Sequence, residues 1–178
     1  MKKVFLFAAM AALLLSLTAC GANDPTLNTS SAAASSSPSQ SSSVSSSTAS
    51  VVDASNVEDN LKGLEQYLTS NGVVQGTPTE MAAEFIGAKS GAKYKYSYEG
   101  KDVIVELYEY DTSSLNETAK KVIDSVKKDG KFSIMNQDVQ AVISDSGKYL
   151  MVYKDNETAE KNVAHKTESA KLFKEFKK

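Results

Sequence analysis

Residues 93–110 read KYKYSYEGKDVIVELYEY, and this run decides the fold class. Tyr94, Tyr96 and Tyr98 alternate with Lys93, Lys95 and Ser97, the period of two that a strand shows when its faces meet different surroundings. Glu99-Gly100 supplies a two-residue turn, and Asp102 to Tyr110 returns as a second strand. Such a turn sets Tyr96 opposite Val103, Tyr94 opposite Val105 and Lys93 opposite Glu106. Aromatic then meets β-branched on one face and opposite charges meet on the other. A bulge would shift this pairing by one residue and turn the side chains to the other face.

Working outward, caps and apolar spacing mark four helices. Ser55 and Glu58 make a capping box before Val57, Leu61, Leu64 and Leu68, with Asn71 and Gly72 as a left-handed stop. Thr77, Pro78 and Glu80 repeat the signal before Met81, Phe85 and Ile86, a short second helix. Ser114 and Glu117 open a third, through Leu115, Ala119, Val122, Ile123 and Val126 to Lys127, Lys128 and Gly130. The fourth starts near Asn156 and runs through Ala159, Val163, Ala170 and Phe173. A short strand is expected at Phe132–Met135, and a second hairpin from Val139–Ser144 to Lys148–Tyr153 around Asp145, Ser146 and Gly147. Asn116-Glu117-Thr118-Ala119 recurs as Asn156-Glu157-Thr158-Ala159, by shared capping chemistry or by an inherited repeat. The order ααββαβββα specifies an α+β domain with an antiparallel sheet of about four to five strands, spanning residues 56–178.

Upstream the composition changes. From Thr29 to Ser50, 13 of 22 residues are Ser, too little apolar matter to offset chain entropy. Residues 20–55 are therefore expected to be a disordered tether, whose 35 residues from Gly21 to Ser55 span roughly 30 to 35 Å. At the start, Lys2 and Lys3 precede an apolar run from Val4 to Leu17. That run covers only about 21 Å as a helix against a hydrocarbon core of roughly 30 Å, so a cleaved signal peptide at 1–19 is expected rather than a permanent span. Leu17-Thr18-Ala19-Cys20 resembles the lipobox of bacterial lipoproteins. The resemblance implies that Cys20 receives a diacylglycerol, becomes the first residue, and anchors the protein to the outer face of the cell membrane. Two or more acyl chains make such anchoring stable. The Ser-rich tether is similar to those on lipoproteins of low-GC Gram-positive bacteria. The region Thr77–Tyr153, notably Glu106–Asp111 and Gly147–Asp155, resembles small uncharacterised domains of clostridial-type lipoproteins, which carry no known catalytic residues.

Composition also limits the chemistry. All 20 basic residues are Lys and the net charge is -2, so the Arg fork and the basic surface that hold nucleic acid are missing. With one Cys and one His, neither an internal disulfide nor a Cys/His metal cluster can form. Asp145-Ser146-Gly147 and Asp155-Asn156-Glu157 lack the loop length and acid count of a calcium site, and no metal or cofactor is expected. His165 falls about 200° round its helix from Val163, which points it to solvent. Glu106 and Glu109 go to opposite faces of their strand and are expected on solvated surface, which leaves no carboxylate pair for acid–base work.

Tyrosine is the residue most open to a binding role. Tyr94, Tyr96 and Tyr98 suit packing under helices. Ile104, Tyr108 and Tyr110 share the opposite face with Asp102 and Glu106 and are the expected interaction face. The protein is thus expected to be a non-enzymatic, membrane-anchored module acting on an envelope protein, a peptide or a wall component. The alternatives are a small envelope enzyme using carboxylate or Tyr chemistry, and an accessory or inhibitory subunit.

Overall fold

A computed structural model describes residues 52–178. The signal segment 1–19, Cys20 with its lipobox, and the Ser-rich run lie outside the described residues. The central hairpin of β2 (Ser90–Tyr98) and β3 (Lys101–Glu109) has the register that the sequence specifies, with Tyr96 opposite Val103, Tyr94 opposite Val105 and Lys93 opposite Glu106. Glu99 and Gly100 both take left-handed φ, 48° and 74°, and this type I′ geometry twists the same way as the strands it joins.

Around the hairpin the architecture is α+β. A five-stranded antiparallel sheet has the order β1-β2-β3-β7-β6, with β1 at Thr79–Met81, β6 at Val142–Ile143 and β7 at Tyr149–Lys154. A separate ribbon pairs β4 (Lys131–Ile134) with β5 (Gln137–Gln140). One sheet face presents Tyr94, Tyr96, Val103, Val105, Leu107, Tyr149 and Met151 to α1 (Leu61–Ser70) and α3 (Glu160–Glu175). The other presents Tyr108, Leu150 and Val152 to α2 (Glu117–Asp129) and to Phe132 of β4. Both faces are therefore out of water near the centre, and β3 supplies both cores.

The third expected helix forms where the apolar spacing puts it, with Ala119, Val122, Ile123 and Val126 buried and Gly130 closing it in the left-handed region. Its cap is Asn116, whose Oδ1 accepts the Ala119 N–H at 2.8 Å, and not Ser114. The first expected helix starts later than the Ser55–Glu58 box. Asn60 caps α1 by accepting from the Gly63 N–H at 2.9 Å, while Ala54–Asn56 forms a 3-10 turn capped by Asp53. Val52 and Ala54 already pack on the first core, so ordered chain extends upstream of residue 56.

The short second helix is not formed. Thr79–Met81 pairs with Gly91–Lys93 of β2, and Glu84–Ile86 is a single 3-10 turn that buries Ile86. A two-turn helix repays its nucleation cost poorly, whereas the same residues gain a ladder by covering the edge of β2. The last helix begins at Glu160 rather than near Asn156, because Asp155 Oδ1 accepts the Glu157 N–H in a local turn first. In the second hairpin Ser144 donates its N–H to the Tyr149 carbonyl, so the loop runs from Asp145 to Lys148 and the first strand is shorter than expected.

Gly63 sits where α1 crosses the preceding loop, and a Cβ there would lie 1.9 Å from the Glu58 carbonyl oxygen. Helix propensity alone favours Gly63→Ala by about 1 kcal/mol. The backbone clash should reverse the sign and destabilise the protein by about 1–3 kcal/mol, measured by urea unfolding. A more stable Ala variant would show that α1 does not lie against this loop.

Candidate functional site

The strand geometry decides the fate of the expected interaction face. Tyr108 is 3% exposed and Tyr110 fully buried, in one cluster with Ala119, Val122, Ile123 and Val126 of α2. This corrects the expectation of an exposed Tyr face. The connection after β3 folds α2 back over these residues, because the apolar stripe of α2 needs the same face. Ile104, nearer the Glu99–Gly100 turn, is only half-buried, beside Lys95 and Lys154 on the neighbouring strands.

Glu106 and Glu109 do lie on opposite faces, but neither is solvated: they are 7% and 4% exposed. Glu106 accepts from Lys154 Nζ at 2.8 Å and from the Tyr108 hydroxyl at 3.3 Å, with Lys93 Nζ 4.0 Å away. Glu109 Oε2 accepts the Leu61 N–H at 2.9 Å, and Lys89 and Lys148 stand 3.6 Å from its other oxygen. A sheet carboxylate thus satisfies a free donor at the positive end of α1. Alternation assigned the two faces correctly; burial depended on which helices return to each face, which one strand does not encode.

His165 also departs from expectation. It is half-buried, with Nδ1 2.6 Å from the Tyr153 hydroxyl, Nε2 3.2 Å from the Gly72 carbonyl and its ring stacked 4.0 Å from that of Tyr98. The Nε2 N–H donates to Gly72, which leaves Nδ1 to accept from Tyr153. Helix α3 is turned so that Asn162, Ser169 and Phe173 face inward, and Val163, taken from the sequence as a core residue, is 49% exposed.

That rotation leaves a concavity beside α3. A groove of about 740 Å³ runs along α3 past Val163, Lys166, Thr167, Ala170, Lys171 and Lys174. Asp145 and Asp155, which bracket β7 in the sequence, line its other side. Most acids here are already engaged. Asp145 pairs with Lys178 at 3.3 Å and Glu157 with Lys101 at 3.2 Å, while Asp155 holds the Glu157 N–H and the Asn162 amide. Lys166, Lys171 and Lys174 make no ion pair among the described residues, and neither do the lining acids Asp155 and Glu175. The groove is thus lined by four lysines and four acids around exposed Val163, with Lys166, Lys171 and Lys174 on its α3 side. The signal was present in the sequence as lysines spaced through 166, 171 and 174 about Val163 and Ala170, but it resembles any solvated helix face until the rotation of α3 is known.

Compared with known protein families, curated proteins and solved structures, the chain matches none of them.

Two outcomes check this arrangement. Replacing Tyr108 and Tyr110 by Ser should unfold the domain at a cost of about 3–5 kcal/mol for each buried ring, measured by chemical denaturation. A loss within about 0.5 kcal/mol per site would return them to the surface. The second outcome concerns alkali. Burial pushes the Tyr94 hydroxyl up to about 12, with Glu65 adding to the shift, and burial likewise raises Tyr96, Tyr108, Tyr110 and Tyr149. An unfolded tyrosine ionises near 10, so above that pH the unfolded state holds fewer protons than the folded one. Stability is complete below about pH 10 and falls as pH rises through about 12. Tyrosinate absorbance should then appear together with loss of the far-ultraviolet circular dichroism. Titration of most tyrosines near pH 10 in a folded protein would contradict this packing.

Proposed function

We propose that the protein is a lipid-anchored, extracytoplasmic binding module, tethered through Cys20 and the Ser-rich segment, which holds a partner in the groove beside α3. The observation that carries the binding half of this reading is the groove, along which exposed Val163 and three lysines without ion pairs among the described residues are set out on α3. The anchoring half rests on the lipobox resemblance of Leu17-Thr18-Ala19-Cys20. A non-catalytic role fits the buried groups. Glu106 and Glu109 are held by lysines on opposite faces of β3, so they share no cleft in which separated pKa values could divide acid from base. The hydroxyls of Tyr108 and Tyr110 are raised by burial, away from the range in which they would ionise as nucleophiles.

Two measurements test the halves separately. Cys20→Ala should abolish lipidation and move the protein from the membrane fraction to the soluble one; a variant that still pellets with membranes in high salt rules out the lipid anchor. In intact cells an impermeant amine-reactive cross-linker should capture a partner through Lys166, Lys171 or Lys174 far more than through Lys120 or Lys121 on α2. Equal capture from both helices would remove the groove as the site, and no reaction with the cell surface would remove the extracytoplasmic placement.

A further inference from the structure

We infer that the outer edge of β6 is a docking site for an extended peptide segment of another protein, which pairs with Ile143 as an added strand. This goes beyond the groove beside α3 and does not depend on that groove being occupied. β6 is the last strand of the five, so β7 covers one side of it only. Val142 lies opposite Met151 and Ile143 opposite Leu150, and the Ser144 N–H donates to the Tyr149 carbonyl at 2.9 Å. Backbone groups alternate in direction along an antiparallel strand, so Val142 and Ser144 bond towards β7 while Ile143 turns its N–H and C=O away from it. On that outer side the Ala141 N–H donates to the Gly130 carbonyl at 2.9 Å and the Asp145 N–H to the Lys174 carbonyl at 3.0 Å. Between these two closures Ile143 has no backbone partner among the described residues. The sheet edge is sealed at both ends and open in the middle, where it can template a further strand.

The surroundings of that gap decide the occupant. A groove of about 530 Å³ lies over it, lined by Val126 and Gly130 at the end of α2, by β6 itself and by Lys174 of α3. The edge is therefore recessed between two helix ends. A second copy carries the same recessed edge, so two copies cannot bring these strands together, whereas a single extended chain can enter. The closures at Ala141 and Asp145 stand about 13 Å apart along the strand, which leaves room for about three residues to pair. A residue opposite Ile143 puts its side chain on the face that Ile143 shares with Leu150 and Val126, in the second apolar cluster. That residue must be apolar. Its two neighbours point to the other face, beside Val142 and Lys174, and can be polar.

The test uses the lipidated full chain in detergent micelles, with amide exchange read residue by residue by NMR. The probe is a heptapeptide with blocked ends that alternates serine and valine. Saturating peptide should slow exchange of the Ile143 amide by at least about tenfold and leave the Lys120 and Lys121 amides unchanged. In the antiparallel sense of the rest of the sheet, the valine opposite Ile143 makes both of its backbone hydrogen bonds to that residue. N-methylation of the valine amides should therefore weaken binding about tenfold, whereas N-methylation of the serine amides, which face away, should change it less than about twofold. Aspartate in place of the valines should also weaken it by at least about tenfold. A peptide that binds without slowing Ile143, equal losses from the two methylations, or no binding up to the solubility limit overturns the added strand and leaves the α3 groove standing. An Ile143 amide already protected without peptide, and more so as protein concentration rises, assigns the edge to a second copy and overturns it too.

Discussion

Strand β3 lies third in the five-strand order and is apolar on both faces, and the helices are placed by the need to keep both faces dry. Val103, Val105 and Leu107 point to α1 and α3, and Tyr108 points to α2. At about 1.5–3 kcal/mol for each fully buried apolar side chain, removing the cover from either side would cost a large share of a small domain's stability. This constraint also explains the two buried carboxylates. Glu106 and Glu109 stand on the strand that is covered twice, so neither can reach bulk water, and each must be met by lysines and hydrogen-bond donors. Removing a partner from such a group costs more than making the pair gained, which ties Lys148 and the first turn of α1 to the sheet through a single residue, Glu109.

The hairpin was legible in the sequence because its information is local. Alternation, turn chemistry and cross-strand pairing all act within 18 residues, and they agree with one another from Lys93 to Tyr110. The apolar stripe of α2 was legible for the same reason. The capping residues were less so. Ser55, Thr77 and Ser114 each present a plausible box, yet the helices use Asn60 and Asn116, and the Thr77 segment pairs as a strand. Caps contribute only about 1 kcal/mol, and the position of a helix on the sheet overrides a difference of that size.

The interaction face was misplaced for a reason that also concerns distance along the chain. Ile104, Tyr108 and Tyr110 share one side of β3, but what covers that side arrives from residues 117–129, and a polar flank of Asp102 and Glu106 says nothing about it. The stripe of α2 was the overlooked clue, since four apolar residues on one helix face require a sheet face, and the other was already claimed by α1. Equally, nothing local sets the rotation of α3. Its inward residues include Asn162 and Ser169, so polar contacts choose among rotations that apolar spacing leaves nearly equivalent.

Helix α3 is accordingly held differently from its neighbours. Across residues 160–175 its fully buried apolar side chain is Phe173, Ala170 and Leu172 pack partly buried on the same core, and hydrogen bonds join Asn162 to Asp155 and His165 to Tyr153 and Gly72, with Tyr98 stacked on the imidazole. Each neutral hydrogen bond contributes only about 0.5–1.5 kcal/mol net, but it fixes orientation in a way that apolar contact does not. The seat therefore specifies which way the helix faces more strongly than it stabilises it. The Ser169 hydroxyl, buried without a hydrogen-bond partner among the described residues, shows that even this specification is incomplete.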